Sequence, residues 1–290
     1  MGTFLHRHKG VTPYVLLIPG VLWLAIFFLV PMGFLGYQSL QSGIFPNFHF
    51  TWQFSNFADA LRSNADGGYR EQLVRSFVYA GIATVACLLL AYPLVYWIAF
   101  KAGHWRNLFL LAIVAPFFVT YLVRTLAWLN ILADEGPVVR VLRDLHVLGP
   151  DGRLLATTFA VVSGITYNFF PFMALPIYVS LEQLDTRLLE AAKDLYASST
   201  QSFLRVTLPL SAPGIVAGTL LTFIPAAGDF INAQFLGTPN QQMIGNVIQA
   251  KFLESLDYPG AASLSFILMG LILVMLLVYA RIVGSEKLTG

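Results

Sequence analysis

Residues 184–213 read LDTRLLEAAKDLYASSTQSFLRVTLPLSAP, a polar passage between two apolar runs that are each long enough to cross a membrane. A segment in that position must stand outside the bilayer, folded and open to a partner. Its spacing predicts two short helices. Asp185 is an N-cap for the first, which carries Leu188, Leu189, Ala191, Ala192 and Leu195 at helical intervals. Ser198 with Gln201 three residues on forms a capping box for the second, and Pro209 ends it. The adjacent alanines leave a thin helix face that can enter a groove closely, and Glu190 beside them offers a carboxylate to a basic partner. That is the shape of a docking knob.

The rest of the chain is membrane material. Of its 290 residues 57% are hydrophobic and only 11% charged, and a mean hydropathy of +0.70 sets it apart from soluble domains. Apolar runs of roughly 20 residues or more mark spans at about 14–37, 75–100, 108–132, 154–180, 213–236 and 259–283. The fold class is therefore an all-α integral membrane protein of six helices, a single transmembrane domain over residues 1–290, with the polar loop at about 184–212 between the fourth and fifth. No Asp, Glu, Lys or Arg falls between Lys9 and Asp59, so the first run, longer than a signal-peptide core, reads as an uncleaved signal anchor. Six spans put both termini on one side. With the N-terminus inside, nine of the 17 Lys and Arg fall on inner segments against six on the longer outer loops, which favours cytoplasmic termini and a cytoplasmic 184–212 loop.

Several function classes drop out. A formal charge of +2 without a basic cluster points away from nucleic acid. Cys87 is the single cysteine and sits in mid-span, a packing residue. The five histidines are scattered, and no HExxH, Walker lysine loop or GxSxG turn occurs, so neither a catalytic residue nor a metal site is expected. An autonomous channel or membrane enzyme would need a self-contained pore pattern or clustered catalytic side chains, and the chain has neither.

What chemistry there is lies inside the spans. The fifth reads PGIVAGTLLTFIPAAGDFINAQFLG, with Pro225 and Gly228 interrupting the helix before Asp229. An ionisable group in a span costs about 2.5–3.5 kcal/mol on insertion scales and faces a cavity or a partner. Asp229 either lines a polar pathway, pairs with Arg124 or a partner subunit's base, or sits at an interface. Phe230 and Asn232 flank it, and the fourth span adds Tyr167 and Asn168 beside two prolines, a cavity wall whose aromatic faces suit an ammonium, although packing accounts for most of the aromatics. Arg124 lies about 16 residues from the inner start of the third span, roughly 24 Å along the helix, where it pairs or snorkels outward.

Glu190, Ala191 and Ala192, followed by Phe203, Val206, Leu208 and Pro209, resemble the EAA loop of binding-protein-dependent ABC importer permeases. The chain departs from that family at Tyr196, where glycine is usual; glycine permits a left-handed helix terminus there, and tyrosine strains it. Further words along the chain resemble the first permease subunit of spermidine/putrescine transporters: PFFVTYLVRTLAWLNIL at 116–132, LLEAAKDL at 188–195, MIGNVIQAKF at 243–252 and YPGAAS at 258–263. The resemblance implies a type I ABC importer fold whose 184–212 loop is a coupling helix, with Asp185, Leu189, Glu190, Ala191, Ala192, Leu195 and Tyr196 meeting an ATPase. It implies a bacterial inner-membrane complex of this subunit, a second homologous permease, two ATPase subunits that bind ATP and Mg, and an extracytoplasmic binding protein that delivers polyamine. No cofactor is expected in this chain. An importer for another small solute, such as an amino acid, a phosphonate or ferric iron, stays open.

Overall fold

The computed structural model describes residues 12–149 and 151–284. Arg7, Lys9 and Lys287, three of the nine basic residues counted on inner segments, lie outside the described residues.

The first span is α1 (Thr12–Leu24), carried through a π-helical turn at Ala25–Leu29 into α2 (Val30–Ser39). None of its side chains from 17 to 38 is buried. A two-stranded antiparallel hairpin follows, β1 (Gln41–Ser42) and β2 (His49–Phe50), and then the short α3 (Ser55–Leu61).

Three long helices make the core: α4 (Arg70–Lys101), α8 (Thr158–Glu182) and the span that ends with α11 (Leu208–Ala227). Lipid tails are as apolar as leucine, so such helices are held by close approach rather than by exclusion of water. Small residues allow it. Ala80, Ala83 and Ala91 on α4, Ala160 and Ala174 on α8, and Ala226 and Ala227 on α11 have no exposed surface. At Gly214 a Cβ would lie 2.5 Å from the Pro176 carbonyl and from Ser180 Oγ, so α11 meets α8 where only glycine fits.

Among the described residues five helices are long and apolar enough to cross a membrane, the last being within α14 (Tyr258–Gly284). A sixth crossing exists only as a bent pair. The expected third span at 108–132 is broken: Gly103–Phe118 and Tyr121–Asp144, the latter ending in α7 (Pro137–Asp144), meet at 98°.

The polar loop keeps its expected caps and changes its ending. α9 (Thr186–Asp194) starts on Asp185, whose carboxylate accepts the Arg187 N–H at 2.9 Å, and Ser198 with Gln201 forms the capping box of α10 (Ser199–Ser202). Pro209 does not end the second helix. A π turn at Phe203–Thr207 runs straight into α11, so the fifth span starts near Ser199 rather than at 213. The wider turn just upstream accommodates the proline ring that would otherwise clash with the preceding turn.

Candidate functional site

Two helix breaks face each other inside the bundle. In the first, α5 (Arg106–Val114) tightens into a 3₁₀ turn at Ala115–Phe118, Val119 and Thr120 run extended, and α6 (Tyr121–Leu132) begins. In the second, α11 passes through Pro225, stops at Ala227, and restarts as α12 (Ile231–Leu236). Asp229 fills that gap. Its Oδ2 accepts the Asn232 N–H at 3.1 Å, satisfying a donor that the first turn of α12 leaves open.

The other carboxylate oxygen ties the two breaks together. Tyr121 Oη donates to Asp229 Oδ1 at 2.7 Å, and Asn232 Nδ2 donates to the same hydroxyl at 2.6 Å. Asn168, from α8, donates to Asn232 Oδ1 at 3.2 Å and to Thr125 Oγ1 at 3.3 Å. Thr125, Asn168, Asp229 and Asn232 are all buried. Gly164 makes the room, because a Cβ there would come within 2.6 Å of Asn232 Oδ1. Asn246 of α13 (Ile244–Leu253) braces the second break from behind, donating to the Phe230 carbonyl at 2.8 Å.

Every hydrogen-bond donor to Asp229 is neutral, and among the described residues no ion pair reaches it. Arg124 is the nearby cation by sequence, and it is engaged elsewhere. Its guanidinium lies over the Phe117 ring at 4.6 Å and the Tyr121 ring at 5.5 Å, bridging the first break. It does not snorkel: the residue is 8% exposed, and Nε and Nη1 are buried without partners. Opposite charges so placed leave a carboxylate and a guanidinium on two sides of one tyrosine.

The structure thus brings together Asn168, Asp229 and Asn232, with Phe230 supplying a carbonyl. It sets Tyr167 apart. That ring faces away from the cluster, packs on Trp128 at 5.5 Å, and lines an apolar cavity of about 290 Å³ with Phe117 and Phe170. Tyr121 and Thr125 are the members that the sequence does not single out; the signal available was their spacing of four on α6, which places them on one face.

On the polar loop, Glu190, Ala191, Leu195 and Tyr196 are exposed, Leu195 at 81% and Tyr196 at 97%, while Leu189 and Ala192 are half-buried. Tyr196 has φ of 59°, the left-handed region. Its N–H bonds the Lys193 carbonyl at 2.9 Å and the Ala197 N–H bonds the Ala192 carbonyl at 3.0 Å, so the helix ends in a Schellman motif with tyrosine in the glycine place.

A bundle of apolar helices, broken in two places over a buried polar cluster, defines a multi-pass membrane protein of transporter type. The chain belongs to the family described as binding-protein-dependent transport system inner membrane component, which matches residues 60–284. It is 40% identical over 213 residues to the spermidine/putrescine transport system permease protein PotB of Escherichia coli, covering 73% of this chain and 78% of that one. The Salmonella typhimurium protein of the same name is 36% identical over 268 residues, 92% of each chain. Among solved structures, a chain of a bacterial ABC transporter involved in the import of alginate superposes with a TM-score of 0.74 at 17% identity over 99% of both chains. Another, from the alginate transporter with a pentasaccharide-bound periplasmic protein, gives 0.75 at 16% identity over 99% and 98%. At those identities the likeness speaks for the fold.

Proposed function

We propose that this chain is one of two permease subunits in an ATP-driven importer of polyamines. The observation that carries the solute class is Asp229, an embedded carboxylate held by neutral donors alone. Among the described residues no ion pair reaches it, so an ammonium arriving at the paired breaks finds a counter-ion in a low-dielectric setting, where the attraction is strongest. Phe230 and Asn232 shape the passage on one side and Asn168 on another. Tyr167 contributes from the cavity behind the first break. The similarity to spermidine/putrescine permeases supports the same solute.

The chain supplies no hydrolytic chemistry. Two ATPase subunits bind ATP and Mg, and α9 docks on one of them through Asp185, Leu189, Glu190, Ala191, Ala192, Leu195 and Tyr196, so closure of the ATPase pair moves the spans. A second permease completes the pathway and an extracytoplasmic protein delivers the solute. Both termini and the 184–212 loop face the cytoplasm of a bacterial inner membrane.

The test is uptake of labelled spermidine and putrescine by membrane vesicles at matched permease abundance. Asp229→Asn should lower uptake on the order of 10-fold or more, the effect of losing a charged hydrogen bond of about 1.5–3 kcal/mol, and Asp229→Lys should abolish it. Unchanged uptake in both variants, or uptake confined to a different solute class in the parent chain, overturns the proposal.

A further inference from the structure

We propose that Arg124 receives a carboxylate from the second permease subunit, an intersubunit ion pair inside the membrane that neutralises the guanidinium standing beside the solute's counter-ion. This holds on the reading of the chain as one of two permeases in a polyamine importer. Nε and Nη1 of Arg124 are enclosed and unpartnered, whereas Nη2 is not among the enclosed nitrogens and is the edge that an outside oxygen can reach. The side chain runs back over the Tyr121 ring and on to Phe117, toward the N-terminus of its helix, as long helical side chains do. It ends where α6 begins. Thr120 gives that helix no side-chain cap, and the first main-chain bond of α6 is from the Arg124 N–H to the Thr120 carbonyl at 3.1 Å. The N–H groups ahead of it and the guanidinium therefore lack the same thing, an acceptor.

The chain does not supply that acceptor. Among the described residues no ion pair includes Arg124, and Asp229 is the only buried Asp or Glu, its two oxygens taken by Tyr121 and the Asn232 N–H. Depth limits who else can. Val119 and Thr120 stand about midway between Arg106 and Asp134, and Arg124 is the only Asp, Glu, Lys or Arg between those two. Neither an ATPase in the cytoplasm nor a protein outside reaches that level. Hydrocarbon has no acceptor, and a polyamine is itself a cation. The extended pair Val119 and Thr120 is exposed, as are Phe118 at 85%, Leu122 at 43% and Val123 at 53%. Such backbone is tolerated at membrane depth only where protein covers it or water fills a cavity beside it.

Electrostatics separates those two. Tyr121 touches both charges, its hydroxyl on Asp229 at 2.7 Å and its ring under the Arg124 guanidinium at 5.5 Å. With water alone beside it Arg124 stays positive, and its repulsion of an arriving ammonium offsets the attraction of Asp229, because a low-dielectric interior screens neither. A carboxylate on Arg124 removes that offset and leaves Asp229 free to attract. Guanidinium and carboxylate are matched in shape as well as charge. The second permease is the proposed partner embedded at that depth, and its approach would cover Phe118, Leu122 and Val123 around the pair.

The experiment purifies the full transporter through a tag on this chain and compares the parent with Arg124→Met and Arg124→Glu. The readouts are the second permease recovered per copy of this chain after detergent extraction, and uptake of labelled spermidine in liposomes. Recovery and uptake should fall on the order of 10-fold or more in both variants. One acid-to-arginine exchange in the membrane spans of the second permease should restore both to Arg124→Glu. Parent-level recovery in Arg124→Met overturns the proposal in favour of water. Loss in Arg124→Glu that no such exchange restores overturns it in favour of a local folding defect. A parent chain that brings no second permease with it overturns the two-permease reading too, which tells that failure from this one.

Discussion

Tyr121 Oη and Asp229 Oδ1 meet at 2.7 Å although 108 residues separate them, and that one bond joins the two places where the membrane helices are broken. Extended backbone inside a bilayer is tolerated only where it is buried in protein or lines a cavity. The bond is therefore both a fastener for the breaks and the restraint on the embedded carboxylate. Tyr121→Phe removes the donor to Asp229 and the acceptor of Asn232 Nδ2 together, leaving two buried polar groups short of a partner. The expected cost is about 1–3 kcal/mol, read as a lower Tm of the purified transporter and reduced solute uptake. Wild-type values for both would show that the fastener is dispensable.

Arg124 makes the opposite prediction. Two of its nitrogens are buried without acceptors, a cost of several kcal/mol for a charge, and ring contacts at 4.6 and 5.5 Å return only about 2 kcal/mol. Arg124→Met retains much of the volume and discards the charge. The chain alone should be at least as heat-stable as the parent, by fluorescence-detected melting in detergent. A drop confined to the assembled transporter would place the missing acceptor on another subunit.

How much of this was legible depends on how local the cause is. The caps at Asp185 and Ser198 follow from neighbours two or three residues away, and both stand as read. The break at Val119–Thr120 does not, because PFFVTYLV is as apolar as an unbroken helix and the partner of Tyr121 lies far along the chain. Pro209 reads as a stop, yet the π turn at Phe203–Thr207 carries the helix past it. Asn168, Asp229 and Asn232 are visible as polar groups inside apolar runs, whereas Tyr121 and Thr125 pass for ordinary span residues. Tyr167 adjoins Asn168 in sequence and faces elsewhere because successive helical positions point about 100° apart.

Packing of α8 on α11 gives a sharper test of the core. A Cβ at Gly214 meets the Pro176 carbonyl, which is backbone and cannot swing aside, at 2.5 Å. Gly214→Val should force the helices apart at about 1–3 kcal/mol or more. The readout is the fraction of permease that stays monodisperse on extraction, and an unchanged fraction would mean that the two helices separate freely.

The loop at 184–212 yields the last prediction, which depends on backbone conformation more than on contacts. Tyr196 is 97% exposed and sits at φ of 59°, so its ring makes little packing while its N–H bonds the Lys193 carbonyl and its left-handed turn brings the Ala197 N–H to the Ala192 carbonyl. Glycine adopts that conformation without strain, which offsets its entropy cost of about 0.5–1 kcal/mol. Tyr196→Gly should therefore keep the end of α9 and leave uptake near the parent level. Tyr196→Pro fixes φ near −65° and removes the N–H that bonds the Lys193 carbonyl, so it should unwind the last turn behind Glu190, Ala191 and Ala192. If α9 is the element that grips the ATPase, ATP hydrolysis by the assembled transporter should persist in the proline variant while solute-dependent stimulation and uptake are lost. Equal coupling in the glycine and proline variants would show that the left-handed turn has no part in it.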